Sequence, residues 1–331
     1  MKAGNIFLFG LFLMILPICS LIASYDQVIW GFYGHKLINR QAIFTLPPDM
    51  IPFYKKHMEY IVENAVNPDR RRYAVDGEAP RHFIDLENYP DSPEDLPRRW
   101  EDAVARYSED TLMAHGIAPW NVYRVTKQLT RAFENKDVKA ILRFSTDLGH
   151  YIGDLNVPLH TTKNYNGQFT NQYGIHGFWE SRLPELFAEG YNFFVGKAEY
   201  VPDLNAYIWE ALIETNQALD SVLRFEAELT ERFGEKRKWS FEDRGQVTMR
   251  VYSRNFSDAY HKMLAGQVEH RMRKSIKMVG DFWFTAWVDA GQPNLLELAG
   301  IEVSTSITAE LEEEKRRWEK GGLSNVRAHD N

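Results

Sequence analysis

H-Y-I-G-D-L-N-V-P-L-H occupies residues 150–160, and fifteen residues later H-G-F-W-E occupies residues 176–180. His150 and Asp154 are four apart, as are His176 and Glu180, so on a helix each pair projects from one face and can grip a single ion. Upstream, Val138, Ile141, Leu142, Ser145, Leu148 and Ile152 recur at helical spacing and form one stripe, with His150 off it. That predicts a helix running to Asp154. Pro158 then turns the chain out of the helix, and His160 can bring a third imidazole back. Imidazole and carboxylate without thiolate suit zinc in a hydrolytic rather than a purely structural site.

Away from this stretch the same period continues. Apolar residues keep helical spacing over residues 35–45, 52–66, 93–108, 119–134, 204–233 and 247–290, and Pro93 and Pro119 stand where first helical turns accept proline. Alternating strand patterns are absent. The expected fold class is all-α: a single-domain, multi-helix bundle over residues 25–304, with long loops at 67–91 and 161–174. No linker divides it. Residues 305–331 mix Glu312-Glu313-Glu314 with Lys315-Arg316-Arg317 and read as a charged, solvated tail.

Lys2 precedes an apolar run over residues 6–22, too short for a membrane span and suited to the core of a secretory signal, so residues 1–24 are expected to be a signal peptide and the protein exported. The mature chain would keep no transmembrane span. Cys19, the only cysteine, lies inside the signal, which leaves no disulfide for the mature chain. Core and metal must supply its stability. A net charge of −7 and a pI near 5.9 give no basic footprint, which disfavours stable binding of duplex nucleic acid but not a nuclease whose metal ions meet the phosphate.

The N-terminal third holds further donors. Trp30-Gly-Phe-Tyr-Gly-His35 opens the expected mature region, and Asn67-Pro-Asp69-Arg-Arg-Arg72 and Arg81-His82-Phe-Ile-Asp85 bracket the first long loop. Read singly, Trp30 is a core aromatic, His35 a residue at a helix start and Asp69 a cap. His57, His115, His261, His270 and His329 have no partner at ligand spacing and read as structural.

Read in order, W-G-x-x-G-H, a loop Asp, H-F-x-D, H-x-x-G-D-x-x-x-P-x-H and H-x-x-W-E resemble the zinc-dependent phospholipase C and single-strand-specific zinc nuclease superfamily. The resemblance spans residues 30–180 and implies two to three zinc ions. One would take Asp69, His82, His150 and Asp154, and a second His160, His176 and Glu180. A third would take His35, a shared Asp154 and the backbone amine and carbonyl of Trp30. Asp76 is an alternative to Asp69. Water activated between two zinc ions would attack a phosphodiester, Asp69 would orient or deprotonate it, Arg72 would neutralise charge on phosphate oxygens, and Asp147 would orient a ligand.

The expected function is therefore a secreted zinc-dependent phosphodiesterase, phospholipase C-like because Glu180 rather than Asp fills the last ligand position. A single-strand nuclease or 3′-nucleotidase is the alternative, favoured by the short Trp30–His35 spacing; Phe83 and Asp85 resemble the nuclease base pocket but occur in both branches. The partner is a phosphodiester substrate, phospholipid or single-stranded nucleic acid. A secreted zinc-binding protein without turnover is the third reading, and eight side-chain ligands exceed what a closed structural site needs. In the superfamily the Trp begins the mature chain. Here residues 25–29 stand before Trp30, so its amine would sit in a peptide bond and the third site would be weaker.

Overall fold

The computed structural model describes residues 32–244 and 247–301, together with residues 313 and 316. The signal at 1–24, Trp30 and nearly all of the 305–331 tail lie outside the described residues.

Asp137 accepts a hydrogen bond from the Ala140 N–H at 3.1 Å and so caps the helix Val138–Leu155, which stops where Pro158 bars Val157 from helical geometry. Its stripe packs against the helix Ala118–Glu134, with residues 135–137 as the turn between them. Across this pair runs the long helix Gln267–Asp289. Trp283 in it donates its indole N–H to the Ser145 carbonyl at 3.0 Å and stacks on Tyr54 at 4.8 Å, while the Tyr54 hydroxyl lies 2.9 Å from Ser145 Oγ. Ser145 breaks the apolar stripe because these partners need a small polar residue there.

The helix expected over 35–45 is the α-helix Phe32–Ala42 closed by a 3-10 turn at Ile43–Thr45, and 119–134 matches Ala118–Glu134 to a residue. Other expectations need correction. Residues 52–66 divide into Ile51–Lys56 and Met58–Asn64, and 204–233 into Leu204–Gln217 and Leu219–Phe233. The helix expected over 93–108 begins only at Trp100. The loop at 67–91 contains helical turns at Asn67–Arg71, Ala79–His82 and Leu86–Asn88.

The largest departure is at 247–290. Trp239–Arg244 and Val247–Tyr252 pair as an antiparallel hairpin, and helix resumes only at Arg254–Met263, where Ser253 caps the first turn. Val247, Thr248, Val251 and Tyr252 are β-branched or aromatic and favour the pleated surface. With this hairpin as the single sheet among the described residues, the fold is all-α and multi-helical.

Two apolar clusters form the interior. The larger unites the helices just described through Ile38, Leu148, Ile152, Trp209 and Trp283; the smaller gathers Leu159, Ile175, Phe178, Leu183, Tyr252, Phe256 and Tyr260. Ligand-type residues sit at the seam: His35, His150 and Asp154 on helices of the first cluster, His160, His176 and Glu180 on segments of the second. Among the described residues no helix is long and apolar enough to cross a membrane.

Candidate metal centre

Asp154 is fully buried and lies at the middle of the site. Its Oδ2 is 2.8 Å from His82 Nδ1 and 3.2 Å from His150 Nε2; its Oδ1 is 3.3 Å from His35 Nε2. Asp69 Oδ1 completes the first side, 3.6 Å from His82 Nδ1 and 3.5 Å from His150 Nε2. On the far side, His160 Nε2 and His176 Nε2 are 3.0 Å apart and Glu180 Oε2 is 2.7 Å from His176 Nε2. Glu180 also spans two clusters, since its Oε1 lies 3.4 Å from His35 Nε2. All eight side chains expected as ligands are therefore gathered and buried.

Local structure explains the placement. His150 and Asp154 share a helix face, as the four-residue spacing requires. His160 comes back on the turn Pro158–Thr161, which is stitched to the H-F-x-D segment by an Ile84 N–H bond to the His160 carbonyl at 2.9 Å. His160 Nδ1 donates to the His82 carbonyl at 2.5 Å, and His150 Nδ1 donates to the Ala65 carbonyl at 2.9 Å. A carbonyl can only accept, so both rings carry a proton on Nδ1 and turn Nε2 to the cluster.

Glu180 sits where the helix widens by one residue, Phe178–Arg182, with the Leu183 N–H reaching back to the Phe178 carbonyl. Pro184 follows and has no N–H to give Glu180 its usual helical bond. Arg182, at the end of the widened turn, is buried and makes a two-pronged ion pair with Glu242 of the hairpin. The missed strands thus brace a ligand-bearing turn.

The electrostatics favour cations. Burial raises the Asp154 carboxyl, but His150 and His160 outweigh it and hold it well below the usual carboxylate range. Burial likewise raises Glu180, and the facing imidazoles of His160, His176 and His35 hold it well below that range. Burial lowers His150, yet Asp154 and Asp69 lift it well above its ordinary value. Neither His35 nitrogen nor Asp154 Oδ1 has a hydrogen-bond partner among the described residues, although all three atoms are buried. Buried polar atoms left this way are costly unless something else satisfies them. Nitrogen and oxygen donors, three to a cluster, fit zinc.

Other expectations sort themselves by position. Asp76 is exposed, whereas Asp69 is buried among the ligands. Arg72 Nη1 lies 3.9 Å from Asp69 Oδ1 at the edge of the cluster. Asp147 does not reach a ligand; it pairs with Arg71 Nη2 at 2.8 Å. Phe83 is buried beneath Gly116, whose φ of +92° brings its backbone onto the Phe83 carbonyl and ring. His115, His261 and His270 bond Asn88, Tyr191 and Glu214, and His57 packs on Phe53, away from the centre. Sequence reasoning missed Glu78, buried behind His82, although its spacing of four from His82 repeats that of the two ligand pairs.

Fold and centre together define a multi-helical, all-α-class protein with a buried imidazole–carboxylate site of three adjoining clusters, suited to divalent cations. The sequence is similar to nuclease S1 of Aspergillus oryzae, with 25% identity over 202 residues that cover 55% of this chain and 65% of that protein. The match therefore spans a little under two thirds of the relative's length. No protein-family model matches the chain.

Proposed function

We propose that the protein is a zinc-dependent phosphodiester hydrolase acting on single-stranded nucleic acid. Asp154 carries the proposal: one buried carboxylate turns one oxygen to His82 and His150 and the other to His35, an arrangement suited to joining two cations rather than closing one structural site. Asp69, His82, His150 and Asp154 would hold one zinc, His160, His176 and Glu180 a second, and His35 with Asp154 a third. Zinc supplies Lewis acidity toward phosphate oxygens and lowers the pKa of water from 15.7 toward ~7.

The chain's own residues would do the rest. Arg72, beside Asp69, presents a guanidinium to the non-bridging phosphate oxygens, where negative charge accumulates. Asp69 orients the attacking water or takes its proton. The similarity to nuclease S1 supports nucleic acid as substrate, as do Phe169 and Tyr173, exposed at 68% and 60% on the loop between His160 and His176 and able to stack on bases. Export is proposed from the apolar run at residues 6–22.

A second reading, phospholipid hydrolysis, is favoured by Glu180 at the last ligand position. Purified zinc-replete protein should be assayed against single-stranded DNA, RNA, phosphatidylcholine and a small chromogenic phosphodiester. Cleavage of the nucleic acids supports the first reading, and cleavage of phosphatidylcholine alone the second. Hydrolysis of none, with zinc bound, leaves a zinc-binding protein without turnover.

A further inference from the structure

His82 faces the ligand cluster with Nδ1, whereas His150 and His160 face it with Nε2. Those two rings are fixed from behind by carbonyls, of Ala65 and of His82 itself. Among the described residues no carbonyl backs His82, and its Nε2 has no hydrogen-bond partner at 3.5 Å or closer. Behind it stands Glu78, whose Oε1 is 3.7 Å from His82 Nε2. Glu78 is 1% exposed and clamped on every side. The Tyr151 phenol donates to Oε1, Arg81 Nη1 donates to Oε2 at 2.5 Å, and Arg71 Nη2 lies 3.6 Å from Oε1 while pairing with Asp147.

A charge this deeply buried persists only when paired, and two guanidiniums and a phenol provide the pairing. Among the ligand residues Glu78 pairs with His82, while Tyr151 also packs edge-on against the His150 ring. We infer that Glu78 is a positioning residue: its carboxylate attracts the His82 Nε2–H and so fixes this imidazole as an Nδ1 ligand, the part that the Ala65 and His82 carbonyls play for the other two rings. The inference rests on the metal-centre proposal.

Zinc affinity should be measured by chelator competition for wild type, Glu78→Ala and Glu78→Gln, together with the histidine ring tautomers of zinc-loaded wild type by nitrogen NMR. Glu78→Ala should hold one ion about 10- to 100-fold more weakly, the usual effect of losing such a partner. Glu78→Gln, which keeps an acceptor oxygen, should recover part of that loss. In wild type His82 should carry its proton on Nε2 with Nδ1 bound. A role confined to pairing Arg71 and Arg81 would leave zinc affinity unmoved, and an unchanged Glu78→Ala affinity overturns the inference. If that variant does not fold, the wild-type tautomer decides, and a proton on His82 Nδ1 overturns it. Wild type that binds no zinc removes the metal-centre proposal itself.

Discussion

Gly153 packs directly against the His35 ring: a Cβ placed on Gly153 would lie 2.9 Å from His35 Nδ1. One turn earlier, a Cβ on Gly149 would lie 2.2 Å from Asn39 Oδ1, and Asn39 donates to the His35 carbonyl. The two glycines let the helix Phe32–Ala42 approach Val138–Leu155 closely enough to set His35 between Asp154 and Glu180. Gly153→Ala would gain about 1 kcal/mol of helix propensity, but overpacking costs about 1–3 kcal/mol. The variant should be less stable to urea and should lose the zinc nearest His35 first. A more stable variant with unchanged metal content would show that the close approach is not needed.

Asp154→Asn should be the most damaging single substitution, because the amide cannot offer two anionic oxygens to two clusters. Activity should fall by more than about 100-fold, beyond the effect of losing an outer partner, and zinc content should drop with it. Full activity and full zinc would refute the shared role of Asp154.

The pH dependence has opposite signs with and without zinc. In the metal-free protein burial and His150 lower His35, but Asp154 and Glu180 leave it raised, and His150 is raised well above its ordinary value. Their stabilisation is complete below the unfolded histidine pKa of about 6.5 and is lost as pH rises through the folded values. Asp154 and Glu180 are depressed, so their share is present above the unfolded carboxylate range, near pH 4, and lost only as pH falls through the folded values. Zinc needs bare imidazoles, so its stabilisation grows with pH. Thermal melts across pH should show the metal-free protein weakening above about pH 6.5 and the zinc-loaded protein releasing metal on acidification. Zinc retained well below about pH 5 would count against histidine-dominated binding.

The loop after His160 is held by Glu87, which accepts from the Lys163 N–H at 3.2 Å, and by Gln172, which donates to the buried Glu226 at 2.6 Å. Phe169 and Tyr173 project from this anchored loop. Replacing both with Ala should lower kcat/KM on single-stranded DNA by about 30-fold or more, from ~1–3 kcal/mol per stacked base, while a small chromogenic phosphodiester is cleaved as before. Equal loss on both substrates would point to a disturbed centre instead of lost stacking.

Much of the centre was legible because the four-residue ligand spacing is close to one helical turn of about 3.6 residues. His150 with Asp154 and His176 with Glu180 follow from it, and the 138–152 stripe fixed which helix carries the first pair. The hairpin was not legible, since the apolar residues of 247–252 continue the helical spacing of residues 254–290 and the pairing partner, Trp239–Arg244, is a separate segment. The widened turn at Glu180 depends on Pro184 and on packing from the second cluster, neither of which the local pattern weighs. Asp147 illustrates another limit: it is one turn before His150, but Arg71 from a different loop claims it. The expected Trp30 ligand lies outside the described residues.

His35, Asp69, His82, His150, Asp154, His160, His176 and Glu180 are proposed to form one multinuclear zinc centre. Elemental analysis of protein purified in zinc-replete buffer and freed of loosely held metal tests it most directly. Two to three zinc ions per chain are expected, as multi-metal hydrolase chemistry requires. One ion or none would contradict it.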